Sequence, residues 1–204
     1  MTPLPSHFYA MIDTAGGHEP VALAQTMLDA GARVMQLRLK ELCARDFLAA
    51  AREIAAMCRR RGATLIVNDR VDIAMLSDAA GVHLGQDDLP LEPARAIAGR
   101  SKIIGISTHN VEQARAAEAG GADYIGFGPI YAGGLKANAA GKGLDNLRAV
   151  RAAVRIPIVA IGGITEKRMP EVLDAGADAA AIITDVVNAP DVSAKLRAIL
   201  ALVD

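Results

Sequence analysis

Cationic and amide side chains alternate with leucines at the end of one predicted strand. The segment reads Gln36, Leu37, Arg38, Leu39, Lys40. Because successive side chains of a strand point to opposite faces, Gln36, Arg38 and Lys40 share one face and the two leucines share the other. Arg offers a bidentate fork and Lys a point charge, and both suit a polyanion. The pattern favours a phosphorylated ligand, although a solvated strand end with ordinary surface charges would look the same.

Two aspartates follow the next two predicted strands. Asp69 comes directly after Asn68, and Asp88 follows the run Gly81–Gly85. Mg²⁺ is commonly held by one or two carboxylates, waters and the phosphates of a substrate, so this pair is typical of a metal site that the ligand completes. Alternatively, each aspartate only caps the helix that follows it. Zinc-type ligand spacing is absent around His83, which favours a structural, hydrogen-bonded histidine.

Polar residues also end the fifth predicted strand. Ser107 can donate a hydrogen bond to a ligand oxygen, and His109 can act as an acid or a base near neutral pH. Equally, His109 only starts the following helix, and the sequence leaves both interpretations open.

Glycines and a hydroxyl end the last two predicted strands. Gly162-Gly163 lies at the end of the seventh strand and Thr184 at the end of the eighth. Glycines let backbone N–H groups approach a phosphate closely, and barrels often bind phosphate with these two loops. A Gly- and Ala-rich stretch, 130–143, precedes them and predicts a mobile loop over the barrel mouth. The residues therefore predict two anion subsites, which suits a reaction between a diphosphate and a monophosphate.

Eight strand-then-helix units are needed to bring these residues together. Short β-branched runs alternate with Ala-rich amphipathic runs along the chain, which predicts an α/β protein folded as a single (β/α)₈ TIM barrel over residues 1–204. Gly31, the pair Gly120-Gly121 and Gly176 each follow a predicted helix, as left-handed helix caps do. The predicted strands are Phe8–Ile12, Arg33–Arg38, Thr64–Asp69, Gly81–Gly85, Lys102–Thr108, Tyr124–Pro129, Ile156–Gly162 and Ala179–Thr184. The predicted helices lie near 20–30, 46–61, 71–78, 91–98, 111–119, 144–154, 166–175 and 190–202.

Composition excludes several classes of partner. The 204 residues carry a net charge of −1, and there is no Trp with only three Phe and three Tyr, so we expect neither nucleic acid nor a membrane surface as partner. Cys43 and Cys58 are too far apart for a C-x-x-C motif, which predicts free thiols in a reducing compartment. With no signal-peptide pattern after Met1 and no apolar run of membrane-spanning length, the expected location is cytoplasmic. A homo-oligomer is compatible with the sequence.

The ordered set of motifs resembles the thiamine phosphate synthase family along nearly the whole chain. That family is a barrel that condenses hydroxymethylpyrimidine diphosphate with hydroxyethylthiazole phosphate, giving thiamine phosphate and diphosphate. In its usual account the diphosphate leaves first, and the thiazole nitrogen captures the resulting pyrimidine-methyl cation. The motifs that carry the resemblance are Gln36–Lys40, Val67–Arg70, Gly81–Asp88, Gly105–His109, Gly128–Tyr131 and Ala160–Ile164.

The resemblance implies a role for each matching residue. Asp69 and Asp88 would hold Mg²⁺ against the leaving diphosphate, and Arg38, Lys40 and Lys136 would bind that diphosphate as the catalytic cations. The residues that would contact the pyrimidine are Gln36, Asn68 and Ser107. Those that would hold the thiazole phosphate are Gly163, Ile183 and Thr184.

Two departures from the family pattern leave alternatives open. The usual Pro-Thr-x-Thr-Lys segment reads Ala132–Lys136 here, so Gly133 and Leu135 replace both threonines, although Gly133 can still offer a backbone N–H to substrate. A related branch, the thiazole tautomerase, uses a histidine at the position of His109 but lacks the metal-binding pair. The alternatives are therefore that isomerase and a non-catalytic binding protein for thiamine precursors.

Overall fold

Eight parallel strands close into a barrel in chain order. The computed structural model describes residues 4–132 and 141–203, and each strand pairs with its sequence neighbours, β8 closing on β1. The predicted (β/α)₈ barrel is confirmed. The strands are β1 (Phe8–Asp13), β2 (Val34–Arg38), β3 (Thr64–Asn68), β4 (Gly81–Leu84), β5 (Ile103–Thr108), β6 (Tyr124–Phe127), β7 (Ile158–Ile161) and β8 (Ala179–Ile182).

Helices follow the strands and surround the barrel. They are α1 (Pro20–Ala30), α2 (Ala44–Arg61), α3 (Val71–Leu76), α4 (Leu91–Ala98), α5 (Val111–Ala119), α6 (Gly143–Ala153), α7 (Met169–Asp174), α8 (Thr184–Val187) and α9 (Val192–Leu200). The short α8 was not predicted, and it begins at Thr184, where the eighth strand was expected to end. Among the residues that the structure describes, no helix is long and apolar enough to cross a membrane.

Alternation along the strands separates an inner core from an outer one. Tyr9 and Met11 belong to a small cluster inside the barrel, whereas Phe8, Ala10 and Ile12 join the large cluster between strands and helices. Side chains of neighbouring strand residues point to opposite faces, so one strand contributes to both cores.

The same alternation holds on β2. Leu37 and Leu39 are buried in the outer core, and Gln36, Arg38 and Lys40 line the barrel mouth. The predicted alternation is therefore confirmed, with one face of the segment toward the cavity and the other in the core.

Two kinds of glycine shape the barrel. Gly31, Gly121 and Gly176 have φ values of 108°, 85° and 103°, which is the left-handed conformation predicted after helices. Gly105 makes room inside the barrel, because a Cβ there would lie 2.1 Å from the ring of Tyr124. The inner aromatic layer thus depends on a strand glycine.

Most element boundaries agree with the sequence prediction to within two residues, and a proline lies beside two of the strands that are shorter than predicted. Strand β6 ends at Phe127, before Gly128-Pro129, and β7 begins at Ile158, after Pro157. Proline has no N–H for a strand ladder, which accounts for both shorter strands.

Candidate active site

A cavity of about 380 Å³ opens at the carboxyl ends of the strands. A larger cavity of about 810 Å³ lies at the opposite end of the barrel, beside His7 and Asp178. Barrel enzymes place their active sites at the carboxyl ends of the strands, so the smaller cavity is the candidate site. The cavity is lined by all the predicted site residues that the structure describes: Gln36, Arg38, Lys40, Asn68, Asp69, Asp88, Ser107, Gly163, Ile183 and Thr184. Gly133 and Lys136, with most of the predicted mobile loop 130–143, lie outside the described residues.

Arg38 is held in place by a carboxylate that the sequence analysis missed. Its Nη1 lies 2.5 Å from Oδ2 of Asp13, which is only 4% exposed. Asp13 is the last residue of β1 and pairs in register with Arg38 on β2. The prediction ended the first strand at Ile12 and so left Asp13 in the following loop. If the first strand had been predicted to end at Asp13, its carboxylate would have been expected beside Arg38.

Lys40 and the two predicted metal ligands form a second charged group. Nζ of Lys40 lies 3.3 Å from Oδ2 of Asp69, and Oδ2 of Asp88 accepts a 2.6 Å hydrogen bond from the backbone N–H of Gly85. Neither aspartate is a helix cap, because α3 is capped at Arg70 and α4 at Pro90. The capping alternative is therefore wrong for both.

The Asp69 carboxylate is electrostatically strained. Burial raises its pKa, hydrogen bonding and charge repulsion from Asp88 raise it further, and Lys40 opposes the rise. Asp69 also has a φ of 63°, a left-handed conformation that is uncommon outside glycine. Backbone strain of the kind seen in the φ of Asp69 is concentrated at functional sites.

The donor set of this pair fits Mg²⁺ that a ligand helps to bind. Two carboxylates that raise each other's energy are stabilised by a cation between them, and carboxylate oxygens are ligands that Mg²⁺ prefers. Across residues 4–132 and 141–203 there is no cluster of three or more His, Cys, Asp or Glu that could hold a metal. The described residues therefore supply too few ligands to enclose the ion, and substrate oxygens and water would complete its coordination.

A chain of buried polar side chains forms the floor of the cavity. Nε2 of Gln36 donates to the hydroxyl of Tyr9 at 3.1 Å, and the hydroxyls of Tyr9 and Tyr124 lie 2.8 Å apart. Nδ1 of His83 lies 2.9 Å from the Tyr124 hydroxyl, and its Nε2 lies 2.9 Å from Oγ of Ser107. The prediction of a structural, hydrogen-bonded His83 agrees with these contacts. Neither tyrosine was identified from the sequence.

Burial controls the ionisation of this chain. It raises the pKa of Tyr9 to about 12, which the hydrogen bonds with Tyr124 and Gln36 partly offset. Burial also raises the pKa of Tyr124 well above its ordinary value, and the neighbouring Tyr9 raises it further. Burial also lowers the pKa of His83 to about 4, with a small opposing effect of the Asp88 charge. At neutral pH both phenols are protonated and the imidazole is uncharged.

His109 lines the cavity but does not cap a helix. Its Nδ1 lies 2.7 Å from the carbonyl oxygen of Gly128, whereas the cap of α5 is Asn110, which accepts from the N–H of Gln113. Because a carbonyl only accepts, Nδ1 carries the proton in this contact, and Nε2 is the basic nitrogen of the neutral ring.

The predicted phosphate loop is held by contacts from the residue just before α7 and from the loop after β6. Gly162 and Gly163 have φ values of 101° and 62°, and the carbonyl of Gly163 accepts a 2.9 Å hydrogen bond from Arg168. The Arg168 guanidinium lies 4.3 Å from the ring centroid of Tyr131, whose hydroxyl donates to Glu171 at 2.6 Å. These contacts fix one carbonyl of the loop and the conformation of the turn.

Comparison with known proteins agrees with this geometry. A family model described as thiamine monophosphate synthase matches residues 8–186. The thiamine-phosphate synthase of Moorella thermoacetica is 47% identical over 192 residues, which cover 93% of this chain and 91% of the relative. That of Methanospirillum hungatei is 48% identical over 186 residues, covering 90% of this chain and 89% of the relative. Among solved structures, a thiamine phosphate pyrophosphorylase from Pyrococcus furiosus has a TM-score of 0.88 at 35% identity, covering 95% of this chain and 93% of that one.

Proposed function

Because this chain belongs to the thiamine monophosphate synthase family, we propose that its barrel mouth joins hydroxymethylpyrimidine diphosphate to hydroxyethylthiazole phosphate. The products are thiamine phosphate and diphosphate, and the enzyme is a transferase. One observation carries the assignment at the level of the site: a single cavity is lined by cations and paired carboxylates on β2 to β4 and by the glycine turn and Thr184 after β7 and β8. Two separate anion subsites are what a diphosphate donor and a monophosphate acceptor require.

The diphosphate binds at the end of β2. Arg38 and Lys40 supply the positive charge, and Asp13 orients the Arg38 guanidinium from the neighbouring strand. Lys136 adds a third cation by its position in the family motif. These cations neutralise the charge that grows on the diphosphate as it leaves, which is the form of stabilisation that lowers a barrier.

Asp69 and Asp88 are the residues that would hold Mg²⁺ in this enzyme. When bound, the ion supplies positive charge to the diphosphate oxygens and so makes diphosphate a better leaving group. The mutual repulsion that raises the pKa of Asp69 supports this assignment, because a cation would remove it.

The organic parts of the two substrates lie over the floor of the cavity. Gln36, Asn68 and Ser107 contact the pyrimidine. Gly163, Ile183 and Thr184 hold the thiazole phosphate, and Gly133 offers a backbone contact from the loop after β6. The Gly163 turn supports this role, because its carbonyl is engaged by Arg168 and its positive φ is the kind that aims N–H groups at an anion.

In the reaction the bond between the pyrimidine methylene carbon and the diphosphate oxygen breaks, and its electron pair leaves with diphosphate. The thiazole nitrogen lone pair then forms the new carbon–nitrogen bond. No protein nucleophile takes part, so the residues act by binding, orientation and charge stabilisation.

A product assay tests the proposal. Purified protein is mixed with both substrates and Mg²⁺, and thiamine phosphate is quantified by chromatography, with each substrate omitted in turn and with a chelator added. Arg38→Ala should abolish most of the activity, whereas Arg52→Ala, at an exposed position of α2, should leave it unchanged. No product from the wild-type protein under any condition would refute the synthase assignment.

The geometry of His109 favours one second candidate, isomerisation of thiazole phosphate. Its basic Nε2 belongs to a ring that lines the cavity. If the protein interconverts thiazole phosphate tautomers without forming thiamine phosphate, and His109→Ala abolishes that activity, the isomerase replaces the synthase.

We also propose a cytoplasmic location, with small-molecule substrates and neither nucleic acid nor a membrane as partners. Cys43 is exposed and Cys58 is buried, and both are free thiols, which supports a reducing compartment. Gel filtration with light scattering would establish whether a homo-oligomer forms.

A further inference from the structure

Five hydrogen-bonded side chains cross the floor of the cavity from one strand to another. The relay runs from Gln36 on β2 through Tyr9, Tyr124 and His83 to Ser107 on β5, with four contacts of 2.8–3.1 Å. β2 and β5 are three strands apart in a closed eight-stranded barrel, so the two ends of the relay approach a ligand from different sides.

With the amide nitrogen of Gln36 facing Tyr9, donor and acceptor counting gives the direction of every other hydrogen bond in the relay. The Tyr9 hydroxyl accepts from Gln36, so its own proton goes to Tyr124, its other hydrogen-bond partner in the described chain. The Tyr124 proton then goes to Nδ1 of His83. Because a ring nitrogen that accepts a hydrogen bond carries no proton, the N–H of His83 is on Nε2 and donates to Ser107.

The two ends consequently present opposite hydrogen-bonding roles to the cavity, an acceptor at Gln36 and a donor at Ser107. We call this arrangement of donor and acceptor the polarity of the relay. The Gln36 amide directs its nitrogen to Tyr9, to which it donates one N–H, so its carbonyl oxygen is the group available to a ligand as an acceptor. Ser107 receives the His83 proton and offers its own hydroxyl proton as a donor. Turning the Gln36 amide over would reverse every bond in the relay, so the two ends can only change together.

We propose that Tyr9, Tyr124 and His83 are positioning residues that couple the polarity of Gln36 to that of Ser107, so that the site selects an aminopyrimidine over an oxopyrimidine. The inference rests on the proposed function and specifies how the pyrimidine is recognised. An aminopyrimidine presents its 4-amino donor to Gln36 and the opposite ring nitrogen, N1, as an acceptor to Ser107. Both contacts are satisfied by one polarity of the relay.

A 4-oxopyrimidine presents an acceptor at both ends, because its carbonyl replaces the amino group and N1 keeps its lone pair. In one polarity the Gln36 carbonyl faces the ligand carbonyl. In the reversed polarity Ser107 has no proton for N1. One end is mismatched in either case, and a mismatch of this kind reduces binding by about tenfold to a hundredfold.

The first experiment determines the direction of the hydrogen bonds in the relay and does not depend on enzymatic activity. Long-range ¹H–¹⁵N NMR spectra distinguish the two neutral histidine tautomers, and with four histidines in the chain the His83 signals can be assigned from their loss in His83→Gln. We expect the Nε2–H tautomer at pH 7. A protein with the proton on Nδ1 would overturn the assigned polarity, whether or not the protein makes thiamine phosphate.

The second experiment breaks the relay at its centre. Tyr124→Phe removes one hydroxyl, and kcat/KM is compared for the aminopyrimidine diphosphate and its 4-oxo counterpart. We expect the kcat/KM of the wild type to be about tenfold or more higher for the amino substrate. This preference should fall by about tenfold in Tyr124→Phe, because Gln36 and Ser107 can then change their donor and acceptor roles independently. Tyr9→Phe is measured in the same way and replaces Tyr124→Phe should that variant not fold.

Tyr131→Phe is the matched control, because it removes a tyrosine hydroxyl that bonds Glu171 outside the relay. The ratio of kcat/KM for the two pyrimidines should be unchanged in this variant, whatever its effect on the overall rate. If the relay variants lose activity equally on both pyrimidines, they act only on structure and the coupling is wrong. Absence of product from the wild type would refute the proposed function and leave the tautomer result standing.

Discussion

Replacing His83 by Gln should change how the stability of the protein depends on pH. Burial lowers the pKa of His83 from 6.5 to about 4. Between these values the unfolded chain binds a proton that the folded protein does not, so the free energy of unfolding falls as pH is lowered from 6.5 to 4. Each pKa unit corresponds to about 1.4 kcal/mol, which makes the loss about 3 kcal/mol across this window. The free energy of unfolding that depends on an uncharged His83 is therefore fully present above pH 6.5 and is lost as the pH falls.

The measurement is urea unfolding at a series of pH values from 7.5 to 4.5. Gln keeps a donor and an acceptor but does not titrate, so His83→Gln should be less stable than the wild type at pH 7 and should approach it as pH falls. Subtracting one curve from the other removes the contributions of the remaining titratable groups. His7→Gln is the control, since His7 is exposed and contacts a backbone carbonyl at the other end of the barrel.

A difference between wild type and His83→Gln that stays constant over the whole pH range would refute the reasoning. It would mean that the folded protein protonates His83 as readily as the unfolded chain does. The buried, neutral imidazole would then be wrong, and with it the proton counting along the floor of the cavity.

Three further outcomes are expected. Mg²⁺ should bind measurably only when diphosphate is present and should be weakened in Asp88→Asn; calorimetry that finds tight binding to the free protein, undiminished in the variant, would contradict the metal assignment. Arg38→Ala should weaken the pyrimidine diphosphate by about tenfold to a hundredfold and the thiazole phosphate far less, and equal losses would show that the two subsites are not separate. Gly162→Ala should lower the free energy of unfolding by about 3 kcal/mol, because its φ is 101° and a Cβ would lie 2.5 Å from that of Pro129. Gly17 also has a positive φ, but a Cβ there would have no neighbour within 4 Å. If Gly17→Ala lowers the free energy of unfolding as much as Gly162→Ala does, the clash with Pro129 does not contribute.

The fold could be predicted because its signals are local. Alternation at Gln36–Lys40 separates a ligand face from a core face within five residues, and the glycines after α1, α5 and α7 mark where each helix ends. Once eight strand-and-helix units are recognised, the carboxyl ends of the strands must meet at one mouth. That constraint brings Asp69 and Asp88 together from different strands without any knowledge of packing.

The floor of the site could not be predicted in this way, because its contacts join distant parts of the chain. Tyr9 and Tyr124 are 115 residues apart and meet only when the barrel closes. An aromatic residue within a strand is equally compatible with the inner and the outer core, and a strand boundary misplaced by one residue hid Asp13 beside Arg38. The pattern gives the face of a side chain, whereas its partner depends on the register of neighbouring strands.

The charge arrangement explains why diphosphate and Mg²⁺ should enter the proposed site together. Lys40 is paired with Asp69, and Asp69 is also repelled by Asp88. Metal binding alone would separate Asp69 from Lys40 and leave the lysine without a counter-charge. Diphosphate binding alone would draw Lys40 away and leave the two carboxylates facing each other. When both ligands bind, each protein charge has an opposite charge beside it, so each ligand strengthens the binding of the other.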